Sequence, residues 1–145
     1  MIAIDTNILV HAHKLSSPWH DVASRVVLEH LSGSEDVGIC ISVMHEFLSI
    51  STNPKIYSPA STIEEAFSQL NYWMSSPTAV VLHEGPQHWS ILKDLCESGD
   101  VRGSGVHDAK IAAICLEHDV RELLSAEQGF SRFPQLPSRN PLQHN

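Results

Sequence analysis

The sequence predicts an α/β domain with a central parallel sheet flanked by helices in an α/β/α arrangement. Three observations carry that expectation. Four short apolar runs, Ile2 to Ile4, Val37 to Ile41, Ala79 to Leu82 and Glu122 to Leu124, read as buried strands. Segments with apolar residues at helical spacing alternate with them, the pattern of crossover helices over a parallel sheet. With 145 residues the chain has enough length for one domain with a real core, and too little for two.

In order, Ile2 to Ile4 is short, apolar and rich in β-branched residues, and Asp5 follows it directly. After the Ser16-Ser17-Pro18 break, Trp19 to Leu31 places Val22, Ala23, Val26, Val27 and Leu31 at helical spacing and stops near Gly33. Val37 to Ile41 is the second strand. Ser42 then reads as the N-cap of a helix through Ile50, ended by Asn53-Pro54. Ser61-Thr62-Ile63-Glu64 has the capping-box pattern and opens a helix along Ile63, Phe67, Leu70 and Met74. Ala79 to Leu82 is the third strand, and Pro86 to Cys96 a helix closed by Gly99. Gly103-Ser104-Gly105 reads as a turn with a serine cap, followed by a helix from Val106 to Glu117 and a fourth strand. There is no internal repeat. The expected boundaries are a domain over residues 1–136 and a loosely held polar tail over 137–145.

Apolar residues make up 42% and charged residues 18%, the balance of a folded globular chain. No apolar run reaches the ~18–20 residues that span a bilayer, and no basic region precedes the first strand, so neither a membrane nor a signal peptide is expected. Three cysteines, far apart and without a C-x-x-C pair, give no case for a disulfide framework and fit a cytoplasmic protein. The formal net charge of −8 speaks against nucleic-acid binding through a basic surface. An excess of carboxylates is also how a divalent-cation site shows in a charge count.

In open parallel sheets ligands bind beyond the carboxyl ends of the strands. Asp5 follows the first strand, Glu46 lies in the first turn of the helix after the second, and Glu127 comes just after the fourth. Asp108 starts the helix before the fourth strand, and its neighbours Ile111, Ala112 and Cys115 are apolar. Its carboxylate therefore points along a buried stripe, where an unpaired charge is costly. Any one of these acids reads best as a helix-dipole partner. Four around one crevice, with few bases to pair them, favour a hard metal ion, Mg²⁺ or Mn²⁺, and metal-assisted hydrolysis of a phosphodiester.

Competing motifs are weaker. His45-Glu46 begins the H-E-x-x-H pattern, but position 49 is Ser49, so the zinc-protease motif fails. Gly103-Ser104-Gly105 lacks the full glycine spacing of a phosphate-binding loop. Asp5-Thr6-Asn7 has Asn7 where a phospho-aspartate phosphatase has its second aspartate.

The stretches IDTNILVHAH, VMHEFLSISTNPKIY, GVHDAKIAAICLEHDVRELLSAEQGFSRFPQL and NPL together resemble a PIN-domain ribonuclease of the VapC toxin type over nearly the whole chain. The resemblance implies a PIN fold in which Asp5, Glu46 and Asp108 form the metal-binding core, with Glu127 as a fourth acid and Thr6 and Ser125 in support. It further implies Mg²⁺- or Mn²⁺-dependent cleavage of structured RNA (tRNA or rRNA), a cognate antitoxin protein that silences the site, and a homodimer. One departure stands out. Where the family usually has Thr-Asp-x-Asp-Phe, this chain has Ser125-Ala126-Glu127-Gln128-Gly129-Phe130, with Glu127 and Gly129 in place of the two aspartates. The alternative reading is a catalytically weak PIN domain that binds RNA or a protein without cutting. Lys55, Arg102, Lys110 and Arg132 are the candidates for phosphate contact, each also readable as a solvated surface charge. The helix around Phe67, Trp73 and Met74 is the expected dimer surface.

Overall fold

The computed structural model describes residues 1–143. Five strands form one wholly parallel sheet in the order β3-β2-β1-β4-β5. They are β1 (Ile2–Ile4), β2 (Val37–Cys40), β3 (Ala79–Leu82), β4 (Glu122–Leu124) and β5 (Ser138–Arg139). Six helices flank the sheet: α1 (Thr6–His13), α2 (His20–Leu31), α3 (Ile41–Ser51), α4 (Ile63–Met74), α5 (His88–Ser98) and α6 (Gly105–Glu117). The expected α/β/α architecture is the observed one.

β1 lies at the centre, paired with β2 on one side and β4 on the other, and all three of its residues are buried. That burial on both faces is why it reads as a continuous apolar run rather than an alternating one. The strand order reverses between β1 and β4, so the crevice at their carboxyl ends is a topological switch point.

Several local expectations shift. A helix the sequence reading left out, α1, begins right after Asp5, whose side chain caps it by accepting from the Thr6 N–H at 2.7 Å. Ser42 is not an N-cap, because the N-cap of α3 is Cys40, two residues earlier, and the Ser42 hydroxyl is buried without a partner. The capping box of α4 joins Thr62 and Glu65, one position later than expected. Ser61 is unavailable for it because its hydroxyl bonds Lys14 Nζ at 2.7 Å and His13 Nε2 at 2.8 Å. α5 starts at His88, beyond Pro86, and the Glu117 carboxylate caps the turn before it through the N–H groups of Gly85 and Gln87. Ser104 precedes α6 but makes no side-chain cap.

Two larger corrections concern surfaces. The segment from residue 137 is not a loose tail. Ser138–Arg139 pair with β4 as the edge strand β5, and Leu142 is buried at 3% exposure. The polar composition hid this because an edge strand buries little of its side chains. Residues 144–145 of that tail lie outside the described residues. Trp73 is likewise no free surface residue. It is 3% exposed and packs edge-on against Phe47, with ring centroids 5.5 Å apart, while Met74 packs partly buried against the core. Of that trio only Phe67, 49% exposed, offers open apolar surface.

Candidate metal centre

Asp5 is aimed by both its neighbours in sequence and the far end of the chain. Its backbone N–H continues the β1–β4 pairing by donating to the Leu124 carbonyl at 2.9 Å, which fixes where the side chain leaves the sheet. The carboxylate is 3% exposed. Oδ1 accepts from the Thr6 N–H at 2.7 Å, and Oδ2 accepts from the Ser125 hydroxyl at 2.7 Å and from Asn7 Nδ2 at 3.4 Å. Ser125 also receives the Glu127 N–H at 2.9 Å, and Asn7 Oδ1 receives the Ala126 N–H at 3.0 Å. The turn after β4 is thereby tied to the first turn of α1 around Asp5.

Thr6 supports Asp5 as expected, but through its backbone N–H. Its hydroxyl is buried and makes no hydrogen bond. Asn7 is a site residue that the sequence reading passed over. It was weighed only as a failed acid, whereas its amide bridges Asp5 to the turn that carries Glu127. Three short polar residues in a row directly after a buried strand were the available signal.

All four expected acids, Asp5, Glu46, Asp108 and Glu127, line one crevice of about 200 Å³. They share it with Val10, Ile50, Tyr57 and Ile111. Glu46 comes from α3, Asp108 from the first turn of α6, and Glu127 from the turn after β4. Burial lifts the Asp5 carboxyl from its ordinary 3.8 to about 6; the bonds from Ser125 and Thr6 oppose this, while the charges of Glu46 and Asp108 add to it. Asp108 is raised too, by burial first, then by Glu127 and Glu46, and Arg132 and His107 offset only part of it. Among the described residues none of the four acids forms an ion pair with a basic side chain.

This donor set fits a hard divalent cation. Its oxygens are carboxylates and amides, and its charges repel one another, a repulsion that Arg132 and His107 offset only in part at Asp108. Among the described residues no three His, Cys, Asp or Glu side chains converge closely enough to cage an ion alone. Mg²⁺ does not need such a cage, since it takes one or two carboxylates and completes its shell with water and phosphate oxygens. Asp5, which is buried, and Asp108, which is half-buried, both have raised carboxyl pKa values and are the residues that would hold it.

Gly129 accounts for one of the two missing aspartates in this site. A Cβ at that position would lie 2.7 Å from Asp108 Oδ2, so the Asp108 carboxylate occupies the space that a side chain at 129 would need. Of the expected phosphate contacts, Lys110 lines a neighbouring cavity with His45, Glu46 and His107. Arg132 acts on Asp108 through its charge and reaches toward Gly105. Lys55 is exposed on the turn after α3, outside the crevice lining. Arg102 is exposed and leans on Asp100 at 3.5 Å, also away from the crevice.

Known proteins resemble this chain over nearly its whole length. A family model described as PIN domain matches residues 2–136. Ribonuclease VapC43 of Mycobacterium tuberculosis is 32% identical over 143 residues, covering 98% of this chain and 96% of its own length. Ribonuclease VapC31 of the same organism is 28% identical over 141 residues, covering 97% and 99%. Among solved structures, VapBC2 from Rickettsia felis bound to a promoter DNA fragment aligns with a TM-score of 0.70 at 21% identity, covering 97% of this chain and 98% of that one. Mycobacterium tuberculosis VapC20, a toxin that cleaves the sarcin-ricin loop, aligns at 0.67 and 16% identity, covering 90% and 93%. The matched span contains every acid of the crevice, and this chain belongs to the PIN-domain family, in its VapC branch.

Proposed function

We propose that this protein is a Mg²⁺- or Mn²⁺-dependent endoribonuclease, the toxin of a toxin–antitoxin pair. One observation carries the reading: four carboxylates from four separate elements meet in a single crevice at the β1/β4 switch point without a basic partner. Such repulsion costs stability at neutral pH unless something positive completes the site. The relatives named as ribonucleases share the whole length of the chain, and the fold neighbours include complexes of toxin with antitoxin.

When bound, the cation supplies Lewis acidity for a phosphodiester and acidifies the attacking water. The chain's own part is orientation. Ser125, Thr6 N–H and Asn7 lock the Asp5 carboxylate, Asp108 faces it from α6, and Glu46 and Glu127 stand at the exposed rim. Lys110 and Arg132 are the bases placed to meet the RNA backbone beside the acids. An antitoxin covering the rim and a homodimer complete the proposal, with Phe67 beside Ile63 and Tyr72 on α4 as apolar surface open to a second subunit.

The test is cleavage of a panel of tRNA and rRNA by purified protein in Mg²⁺ or Mn²⁺, with and without EDTA, beside Asp5→Asn. Metal-dependent cleavage lost in the variant supports the reading, whereas cleavage that survives EDTA or Asp5→Asn ends it. A protein that binds these RNAs but cuts none would instead support the alternative of a non-cleaving PIN domain, which the Glu127 and Gly129 replacements favour.

A further inference from the structure

The acids occupy only part of the crevice. Val10, Ile50, Ile111 and Tyr57 line the rest together with Asn7 and His11, and a site that held only a cation and a phosphate would have no use for apolar surface. Building on the ribonuclease reading above, we propose that this apolar part is a subsite for one unpaired nucleobase next to the scissile phosphate, with Tyr57 as its stacking platform.

Tyr57 is held in place from behind. Its N–H donates to the Asn53 carbonyl at 3.0 Å, closing the turn that ends α3. Lys14 Nζ sits 4.5 Å from the ring centroid, a cation–π contact. Lys14 is itself 6% exposed and donates to the Ser51 carbonyl at 2.8 Å and the Ser61 hydroxyl at 2.7 Å. No carboxylate pairs with it among the described residues. The ring is therefore fixed to α1, α3 and the entry to α4 at once, and a base meeting it loses little freedom in the protein.

The placement of charge fits the same occupant. Lys14 does not line the crevice, so its charge is spent on one face of the ring and leaves the acids free for a cation. A base can then stack from the crevice side while its phosphate meets the metal. The crevice, about 200 Å³ in all and below the size of drug-like pockets, leaves its apolar part no room for more than one base. A base inside a duplex has both faces covered, so the subsite selects an unstacked nucleotide in a loop, bulge or single strand.

The experiment uses labelled mixed-sequence single-stranded oligoribonucleotides, each with one abasic position walked along the strand. They are cut in Mn²⁺ by the parent protein, Tyr57→Phe and Tyr57→Leu. One abasic position beside the cut should lower kcat/KM of the parent by about 5- to 150-fold, the range for losing one base–aromatic stack. Tyr57→Leu should cut intact RNA that much more slowly and show no further loss at the abasic position, while Tyr57→Phe behaves as the parent. With 2-aminopurine at that position, its fluorescence should change on binding to parent and Tyr57→Phe but not to Tyr57→Leu. If no abasic position matters to the parent, or if the abasic loss is the same in Tyr57→Leu, the subsite is overturned while the nuclease stands. A parent that cuts tRNA or rRNA but none of these oligoribonucleotides overturns the subsite alone, and one that cuts neither overturns both. The abasic scan of the parent is decisive even if Tyr57→Leu fails to fold.

Discussion

Replacing Asp5 by asparagine should make the metal-free protein more stable at neutral pH, although it removes a residue at the centre of the site. The size follows from the carboxyl's raised pKa. Moving it from 3.8 to about 6 means that the folded state resists ionisation, at a cost of about 3 kcal/mol once the group is charged in both states. Asparagine is as good an N-cap as aspartate, so the bond from the Thr6 N–H survives. It offers one oxygen rather than two, so the bonds to Oδ2 from Ser125 and Asn7 must rearrange, a loss of about 1 kcal/mol. The net expected gain is about 2 kcal/mol, or roughly 4–8 °C in Tm for a chain of this size.

The pH dependence distinguishes this from a general packing effect. Unfolded, Asp5 loses its proton near pH 4; folded, it keeps the proton until about pH 6. Between those values the folded state binds more protons, so its stability from this group falls as pH rises. Below about pH 4 the parent and Asp5→Asn should differ only by the rearranged bonds, and above about pH 6 the variant should lead by its full margin. Urea unfolding of both proteins in EDTA from pH 4 to 8 measures the difference directly. A variant less stable at pH 7.5, or a difference that ignores pH, would refute the argument that burial and facing acids strain Asp5. Added Mn²⁺ should stabilise the parent and leave the variant unmoved.

Other outcomes follow from single contacts. Gly129→Ala should push the Asp108 carboxylate aside and raise the metal concentration needed for RNA cleavage, with little change in Tm, since its Cβ would stand 2.7 Å from Oδ2. Glu127→Ala should also raise that concentration, and Glu127→Asp should lower it; a titration matching the parent for both would make Glu127 an ordinary surface acid. Leu142→Ala should cost about 2–3 kcal/mol in denaturant unfolding, because the side chain is buried in the core. If Lys110 and Arg132 meet phosphate, replacing either by glutamine should flatten the salt dependence of RNA binding by about one unit in a log–log plot.

Strands β1 to β4 and helices α2 to α6 were legible because each buries a long or regular apolar pattern. The acids were legible as a set because strand ends in a parallel sheet converge. α1 was not, since eight residues starting TNILV read equally as the continuation of a buried strand. β5 was not, since a two-residue edge strand has no periodicity to read. Asn7 escaped for a different cause: its role depends on Ser125 and Ala126 arriving from the other end of the chain, whereas the Thr6 N–H contact to Asp5 is local and carries no side-chain signal. Lys14 was invisible as well, because nothing in HAHKLSS distinguishes a buried lysine from a surface one.

The bond from Ser125 to Asp5 spans 120 positions, and the central strand that carries Asp5 gains its β4 neighbour only when residues 122–124 are in place. A chain growing from its N-terminus therefore holds Asp5 early and cannot fix it until residues 122–125 have been made. Glu127 arrives just as late. The nascent polypeptide carries an unassembled crevice until residues 122–127 have emerged, so the nuclease activity proposed above cannot precede that point.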